Sequence, residues 1–419
     1  MVDTQQEKAI LVGVELAGDD PIQTTHSLEE LTRLAETAGA NVLQQIFQKR
    51  NKPDAATFLG RGKVEELAAL CRDNEADLVV FDRELTAVQA RNLEGITGVR
   101  IVDRTQLILD IFAGRARTSE GKLQVELAQL NYLLPRLTGR GAAMSRLAGG
   151  IGTRGPGETR LEVDRRRIRK RIADLNIEIR DIKKHRDLLR RSRREVPIPL
   201  VALVGYTNAG KSTILRELTG ADVLVEDKLF ATLDPTTRRV VLPNNETILL
   251  TDTVGFIQNL PHHLVAAFRA TLEEVVEADL LLHVVDVSHP NAESHIDAVH
   301  KVLESLGAAN KPFILVYNKF DLLPDGQLPL FEKNQPGVAL SAYRGWGFAE
   351  LLADIAQVFA SSRLQKTFFI PYDQSWLLPL LHEKGKVLCE KHSEKGVTLN
   401  VEISAIWAKR VESKIDQST

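Results

Sequence analysis

At 419 residues the chain is long enough for several domains, each with its own core. A formal net charge of −2, from 54 Lys+Arg against 56 Asp+Glu, excludes a uniformly basic nucleic-acid binder and leaves room only for a local basic patch. Cys71 and Cys389 share no metal-ligand spacing and fit a reducing compartment; the first ten residues lack a leader's basic start and apolar run. No apolar run approaches bilayer length, so the expectation is a cytoplasmic monomer without stable membrane insertion.

From residue 1 to about 105, apolar runs alternate with amphipathic segments. Runs at 9–16, 41–47, 77–81 and 99–102 read as strands, and 27–38, 63–74 and 86–93 as helices. Leu28, Leu31, Leu34 and Ala35 share one face of the first helix. Alternation of this kind predicts a small parallel α/β sheet. Gly60-Arg61-Gly62-Lys63 opens a helix but lacks the spacing of a phosphate loop, so it reads as a helix-entry turn.

Residues 106–196 change character. Leu123, Leu127, Leu130, Leu134 and Leu137 repeat at heptad-like intervals, as do Ile168, Ile172, Leu175, Ile179, Ile182 and Leu189. Two such helices joined by a loop predict an antiparallel hairpin that leans on a neighbouring domain. The loop, 138–160, holds seven glycines together with Arg140, Arg146, Arg154 and Arg160. From Arg160 to Glu195, fifteen Lys/Arg face seven Asp/Glu, with Arg165, Arg166 and Arg167 in one run. Loop and helix together read as a basic finger for RNA phosphates, or as a charged face for a protein partner.

Residues 197–364 form the unit with the clearest chemistry, and 365–419 a small α+β unit without a motif. Gly205-Tyr206-Thr207-Asn208-Ala209-Gly210-Lys211-Ser212 matches G-x-x-x-x-G-K-[ST] between a buried strand and a helix. Its amides can cradle phosphates, Lys211 can reach the β- and γ-phosphates, and Ser212 can ligate Mg²⁺, with Thr213 beside it. Asp252-Thr253-Val254-Gly255 is D-x-x-G: Asp252 would hold Mg²⁺ through water, and the Gly255 N–H would sense the γ-phosphate. Asn318-Lys319-Phe320-Asp321 is N-K-x-D. Asp321 can accept from guanine N1–H and the exocyclic amine, which adenine lacks, a difference worth about 10⁴-fold or more. Lys319 would pack over the base, Asn318 would tie the loops, and Ser341-Ala342 would offer an N–H to O6. In this order, each at a strand's carboxyl end, the motifs imply a GTP site.

Between them, Phe230, Ala231, Thr232, Leu233 and Asp234 should close over the nucleotide, with one threonine on Mg²⁺. Analogy with related GTPases that show a T-L-x-P pattern favours Thr232, while spacing alone leaves Thr236 and Thr237 open. Lys211 and Gly255 are the expected catalytic residues. Phe256 stands where Ras-like enzymes carry the glutamine that orients the attacking water. Unaided hydrolysis should therefore be slow, with a partner or a reordered loop completing the site. His262 and His263 read as surface histidines rather than catalysts.

The stretches FATLDPTTR, DTVGFI and GGIGTRGPGETRLE beside GYTNAGKS resemble the HflX family, over almost the whole chain. The resemblance implies an α/β protein: a P-loop GTPase domain preceded by a parallel α/β domain and a helical hairpin, and followed by a small α+β domain. It implies Mg²⁺-dependent conversion of GTP to GDP and binding to the ribosome, chiefly the rRNA of its large subunit. It further implies splitting or rescue of stalled ribosomes under heat or other stress, with the glycine-rich finger near the peptidyl-transferase region. ATP binding by the N-terminal domain and RNA unwinding are also credited to the family. Without the resemblance, three rivals stand open: a ribosome-assembly GTPase, an ATP-driven rRNA remodeller regulated by GTP, and a membrane or metabolic switch.

Overall fold

The computed structural model describes residues 6–137, 160–193, 198–220, 228–257, 272–324, 336–361 and 363–404, with a few positions beyond. Arg140, Arg146, Arg154, His262 and His263 lie outside the described residues.

Strands β1 (Lys8–Leu16), β2 (Asn41–Arg50), β3 (Leu78–Phe81) and β4 (Arg100–Asp103) form a wholly parallel sheet in the order β2-β1-β3-β4. The pleat sends alternate residues to opposite faces. Ala9 and Leu11 pack with Leu28, Leu31 and Leu34 of α1 (Pro21–Thr37) and with Ile108 and Phe112 of α4 (Arg104–Arg115). Ile10 and Val12 pack with Val64 and Leu67 of α2 (Arg61–Asp73) and Leu93 of α3 (Ala87–Thr97). Gly60 opens α2 without a side-chain cap, and Lys63 pairs with Glu66 at 2.8 Å, so this stretch is a helix entry.

Two details depart from the sequence reading. Helix α1 starts at Pro21, held by the Asp20 side chain accepting from the Ile22 N–H (3.0 Å), well before residue 27. Residues 104–115, most of which fall in the segment assigned to the hairpin (106–196), form the separate helix α4 packed beside α1, its first turn capped by Asp103.

Helix α5 (Ser119–Arg136) and α6 (Arg160–Arg193) pack on each other, and Arg171 makes a two-pronged pair with Glu126 (2.7 and 2.8 Å). The leucine stripe of α5 is only half-buried; its buried face is Val125, Ala128 and Tyr132, which enter the core shared with α4. The heptad pattern marked the helix and was silent about this buried face.

The third unit is a six-stranded sheet ordered β10-β9-β8-β5-β7-β6. Its strands are β5 (Leu200–Gly205), β6 (Thr236–Val241), β7 (Thr247–Asp252), β8 (Leu280–Asp286), β9 (Phe313–Asn318) and β10 (Gly337–Ala339). All neighbours are parallel except the β6–β7 hairpin, which turns through Asn245 at φ 64°. Helices α7 (Lys211–Thr219), α8 (Glu273–Glu277), α9 (Ala292–Ser305) and α10 (Phe348–Ser361) accompany it. A three-stranded antiparallel sheet, ordered β11 (Arg363–Pro371), β13 (Gly396–Ser404), β12 (Gly385–Ser393), with α11 (Leu377–Lys384), closes the chain. Among the described residues no helix is long and apolar enough to cross a membrane.

Candidate active site

Strand β5 sits between β8 and β7, so the loop 205–212 leaves the sheet's carboxyl edge at its centre. Two glycines are there for space. A side chain at Gly210 (φ 97°) would strike the Asn318 amide, and one at Gly255 would meet Thr207 Cα at 2.8 Å and Lys211 Nζ at 3.1 Å. Lys211 is buried, and its ammonium donates to the carbonyls of Gly205 (3.1 Å) and Tyr206 (2.7 Å). Burial pushes its pKa down to about 8, against the opposing pull of Asp252.

Ser212 Oγ donates to Asp252 Oδ2 at 2.6 Å, Thr232 Oγ1 donates to the same oxygen at 2.9 Å, and the two hydroxyls lie 2.7 Å apart. Thr237 bonds Thr251 instead (3.0 Å), and Thr236 lies in the β6–β7 ladder. Of the three threonines that spacing left open, Thr232 is the one brought to Ser212 and Asp252. Burial raises the pKa of the Asp252 carboxyl, opposed by Lys211 and the two hydroxyls. Asp252 Oδ1 and Thr207 Oγ1 are buried with no hydrogen-bond partner. Two hydroxyls and a carboxylate with a spare buried oxygen are the hard donors that Mg²⁺ accepts. Among the described residues no cluster of three His, Cys, Asp or Glu could hold a metal.

The base-reading loops converge from β9 and β10. Asn318 Nδ2 donates to the Ala209 carbonyl (2.8 Å), and Ser341 Oγ donates to Asp321 Oδ1 (2.6 Å). Lys319, with φ 63°, pairs with Asp286 at 2.6 Å. The Ser341-Ala342 turn is tied into the same loops: the Ala342 N–H donates to Asn318 Oδ1 at 3.0 Å, and the Ser341 N–H donates to the Trp346 carbonyl at 3.2 Å.

The comparisons with known proteins match this geometry. Family models described as GTP-binding GTPase N-terminal, GTP-binding GTPase Middle Region and 50S ribosome-binding GTPase match residues 25–113, 115–193 and 200–319. GTPase HflX of Caldanaerobacter subterraneus is 50% identical, over 98% of this chain and 94% of its own. This chain belongs to the HflX GTPase family. GTPase HflX of Escherichia coli K12 is 42% identical, over 97% of this chain and 95% of its own. A GTP-binding protein of Sulfolobus solfataricus, solved with GDP, is a more distant likeness: 24% identical, TM-score 0.44, covering 84% of this chain and 98% of that one. Like the rest of the HflX family, this chain is a GTP-binding and GTP-hydrolysing enzyme whose cofactors are GTP/GDP and Mg²⁺.

Within that frame, several residues expected around the nucleotide also pack against the protein, Phe230 among them although it lines the phosphate pocket. Phe230 and Leu233 are 2% exposed; the Phe230 ring meets Phe112 of α4 edge-on, with centroids 4.6 Å apart. Val254 is core. The Asp234 carboxylate turns to the start of α5, where it accepts from the backbone N–H groups of Arg117 (2.8 Å) and Thr118 (3.0 Å) and from Thr118 Oγ1 (2.5 Å). Tyr206 stacks on His295 (3.7 Å, 7°) and donates to Glu30 at 2.5 Å, reaching the N-terminal sheet domain. Burial, then His289, pushes the His295 pKa down to about 4, so this stack is between neutral rings. Conversely Lys228 lines the phosphate pocket beside Ala231 and Thr232; a lone loop lysine carries no motif by which sequence could find it.

Phe256 is 2% exposed. Its N–H donates to the Gly205 carbonyl (3.1 Å) and its carbonyl accepts from the Thr207 N–H (2.8 Å). Its ring therefore belongs to the core, and its backbone clamps the phosphate loop. On α6, Arg166 and Arg167 are exposed and Arg165 half-buried, with Arg167 4.0 Å from Asp164.

Proposed function

We propose that the chain is a large-ribosomal-subunit factor whose GTP form splits or rescues stalled ribosomes under heat or similar stress. The observation carrying this reading is the pairing of a basic arm with a catalytic site that lacks a water-orienting side chain after D-x-x-G. On α6, Arg166, Arg167, Arg169 and Lys170 stand exposed in a chain that is net acidic, just after the Gly/Arg-rich loop. A surface of that charge suits rRNA phosphates. The family description of a 50S ribosome-binding GTPase supports the same partner.

In this reading Lys211 neutralises charge on the β- and γ-phosphates, and the Gly255 N–H meets the γ-phosphate. Mg²⁺, when bound, supplies charge neutralisation between those phosphates; Ser212 and Thr232 would hold it directly and Asp252 through water. Asp321, held by Ser341, reads guanine. With the Phe256 ring in the core, the ribosome completes the hydrolytic arrangement and thereby times GTP loss.

The test is GTP turnover with and without purified large subunits, over a salt series. Stimulation is expected in the wild type. Deleting 149–157 should remove most of it while GTP affinity stays nearly intact. Replacing Arg165, Arg166 and Arg167 should weaken binding and flatten its salt dependence by about one unit of slope or less per lost contact. Absence of stimulation in the wild type would favour a protein partner for the basic hairpin, and full stimulation after the deletion would make the loop an inert connector.

A further inference from the structure

We propose that Asp234 is a positioning residue for hydrolysis: by capping α5 it holds Thr232 against Ser212 and Asp252, and so ties the Mg²⁺ site to the helical hairpin. The inference rests on the reading of Thr232 as a Mg²⁺ ligand.

Asp234 lies two residues beyond Thr232 in one short segment. At the segment's start, Leu229 and Phe230 enter the core shared with α4, where Phe230 takes a left-handed conformation (φ 54°) and meets Phe112. Bulky residues avoid that conformation unless their surroundings fix it. At its end, Asp234 takes three hydrogen bonds from Arg117 and Thr118. Thr118 is itself the N-cap of α5, its Oγ1 accepting from the Gly121 N–H at 3.0 Å. A carboxylate at a helix N-terminus also meets the positive end of the helix dipole. Thr232 hangs between these two fastenings.

Gly121 shows how close the fit is. A Cβ there would lie 2.5 Å from Asp234 Oδ1, so the helix keeps a glycine in its first turn where the carboxylate sits. In a helix interior alanine is ordinarily the better residue. This makes Gly121→Ala a discriminating variant: it favours the helix and evicts the carboxylate.

Coupling of this kind is reciprocal. Closure of Thr232 on Mg²⁺·GTP favours the capped hairpin, and whatever shifts the hairpin loosens Thr232. The GTP-to-GDP affinity ratio reads the link, because in the proposed reading Thr232 serves the Mg²⁺ that accompanies the triphosphate.

The experiment measures that ratio, and turnover at saturating GTP, in the full chain for Asp234→Ala, Asp234→Asn, Gly121→Ala, Thr232→Ala and the double variant Thr232→Ala/Asp234→Ala. Asp234→Ala and Gly121→Ala are each expected to lower the ratio about tenfold with GDP affinity held within about twofold, and to lower turnover. Asp234→Asn keeps one accepting oxygen and should fall between. The double variant should be no worse than Thr232→Ala alone, because residues acting through one another are not additive. A purely structural cap predicts instead a changed melting temperature, stabilised in Gly121→Ala, with an unchanged ratio. Unchanged ratios in both Asp234 variants beside a lowered one in Thr232→Ala, or strict additivity in the double variant, would overturn the proposal alone. An unchanged ratio in Thr232→Ala would overturn the metal-ligand reading and the proposal with it.

Discussion

In the proposed reading Asp321 and Lys211 carry the base and phosphate chemistry, and each is held by its immediate neighbours. Ser341 Oγ occupies one lone-pair position of Asp321 Oδ1 and so fixes the plane of the carboxylate. Asp321→Asn should weaken GTP binding by about a hundredfold or more and admit xanthosine triphosphate, whose C2 carbonyl accepts from the new amide. Titration of both nucleotides checks it, and unchanged GTP affinity would remove Asp321 as the guanine reader. Burial lowers the Lys211 pKa from 10.5 to about 8. A depressed lysine pKa means that the folded chain loses this proton first. Between about 8 and 10.5 the unfolded chain binds more protons, so this group's penalty on folding is relieved as pH rises through that window. Bound phosphates restore the charge. GDP binding at pH 9 should therefore take up a proton, visible by calorimetry as unequal heats in two buffers of different ionisation enthalpy. Equal heats would contradict it.

The strand-end motifs were legible because each packs its chemistry into four to eight consecutive residues after an apolar run. The Leu and Ile stripes were legible as helices for the same reason, their periodicity being local. What escaped was anything with two partners. Helix α5 buries Val125, Ala128 and Tyr132 against the α4 side while its leucine stripe is only half-buried, and a single heptad stripe does not show that buried face. Residues 104–115 were missed as a helix because Leu107, Ile108, Leu109, Ile111 and Phe112 are buried almost all round, which blurs the 3.6-residue period. On α6 the fully buried Leu175 is the main candidate for holding the hairpin together. Leu175→Ala should cost about 2–5 kcal/mol through lost burial and a residual cavity, read as a lower denaturation midpoint. Ile177→Ala, on the exposed side of the same turn, should change stability by no more than about 0.5 kcal/mol.

Across the whole molecule, one polar chain joins the N-terminal sheet to the phosphate loop. Ser27 donates to Asp82 (2.7 Å), Arg104 bridges Asp82 (2.8 Å) and Glu30, and Glu30 accepts from Tyr206. Tyr206 and Glu30 are 176 residues apart in sequence, which is why no local pattern announced them. Arg104 is 4% exposed, and the two carboxylates hold its guanidinium firmly charged against the cost of burial. Arg104→Ala would strand Glu30 and Asp82 without their counter-charge. The expected loss is about 3–5 kcal/mol, measured by chemical denaturation with nucleotide present and absent. A loss below about 1 kcal/mol would mean that the chain of charges is ornamental.

The burial of Phe256 also limits what evolution or protein engineering can do with this site by small steps. In a Ras-like enzyme that position faces the nucleotide, so one codon decides whether a glutamine is present. Here the backbone on both sides is stitched to Gly205 and Thr207, and the side chain is committed to the interior. A glutamine grafted onto this scaffold would carry its amide into apolar surroundings, away from any water to be aimed. In the proposed reading, acquiring self-sufficient hydrolysis would demand re-threading the backbone around Phe256, a concerted change across several residues. The proposed dependence on an outside trigger would thus be a ratchet: easy to inherit, and hard to reverse one substitution at a time.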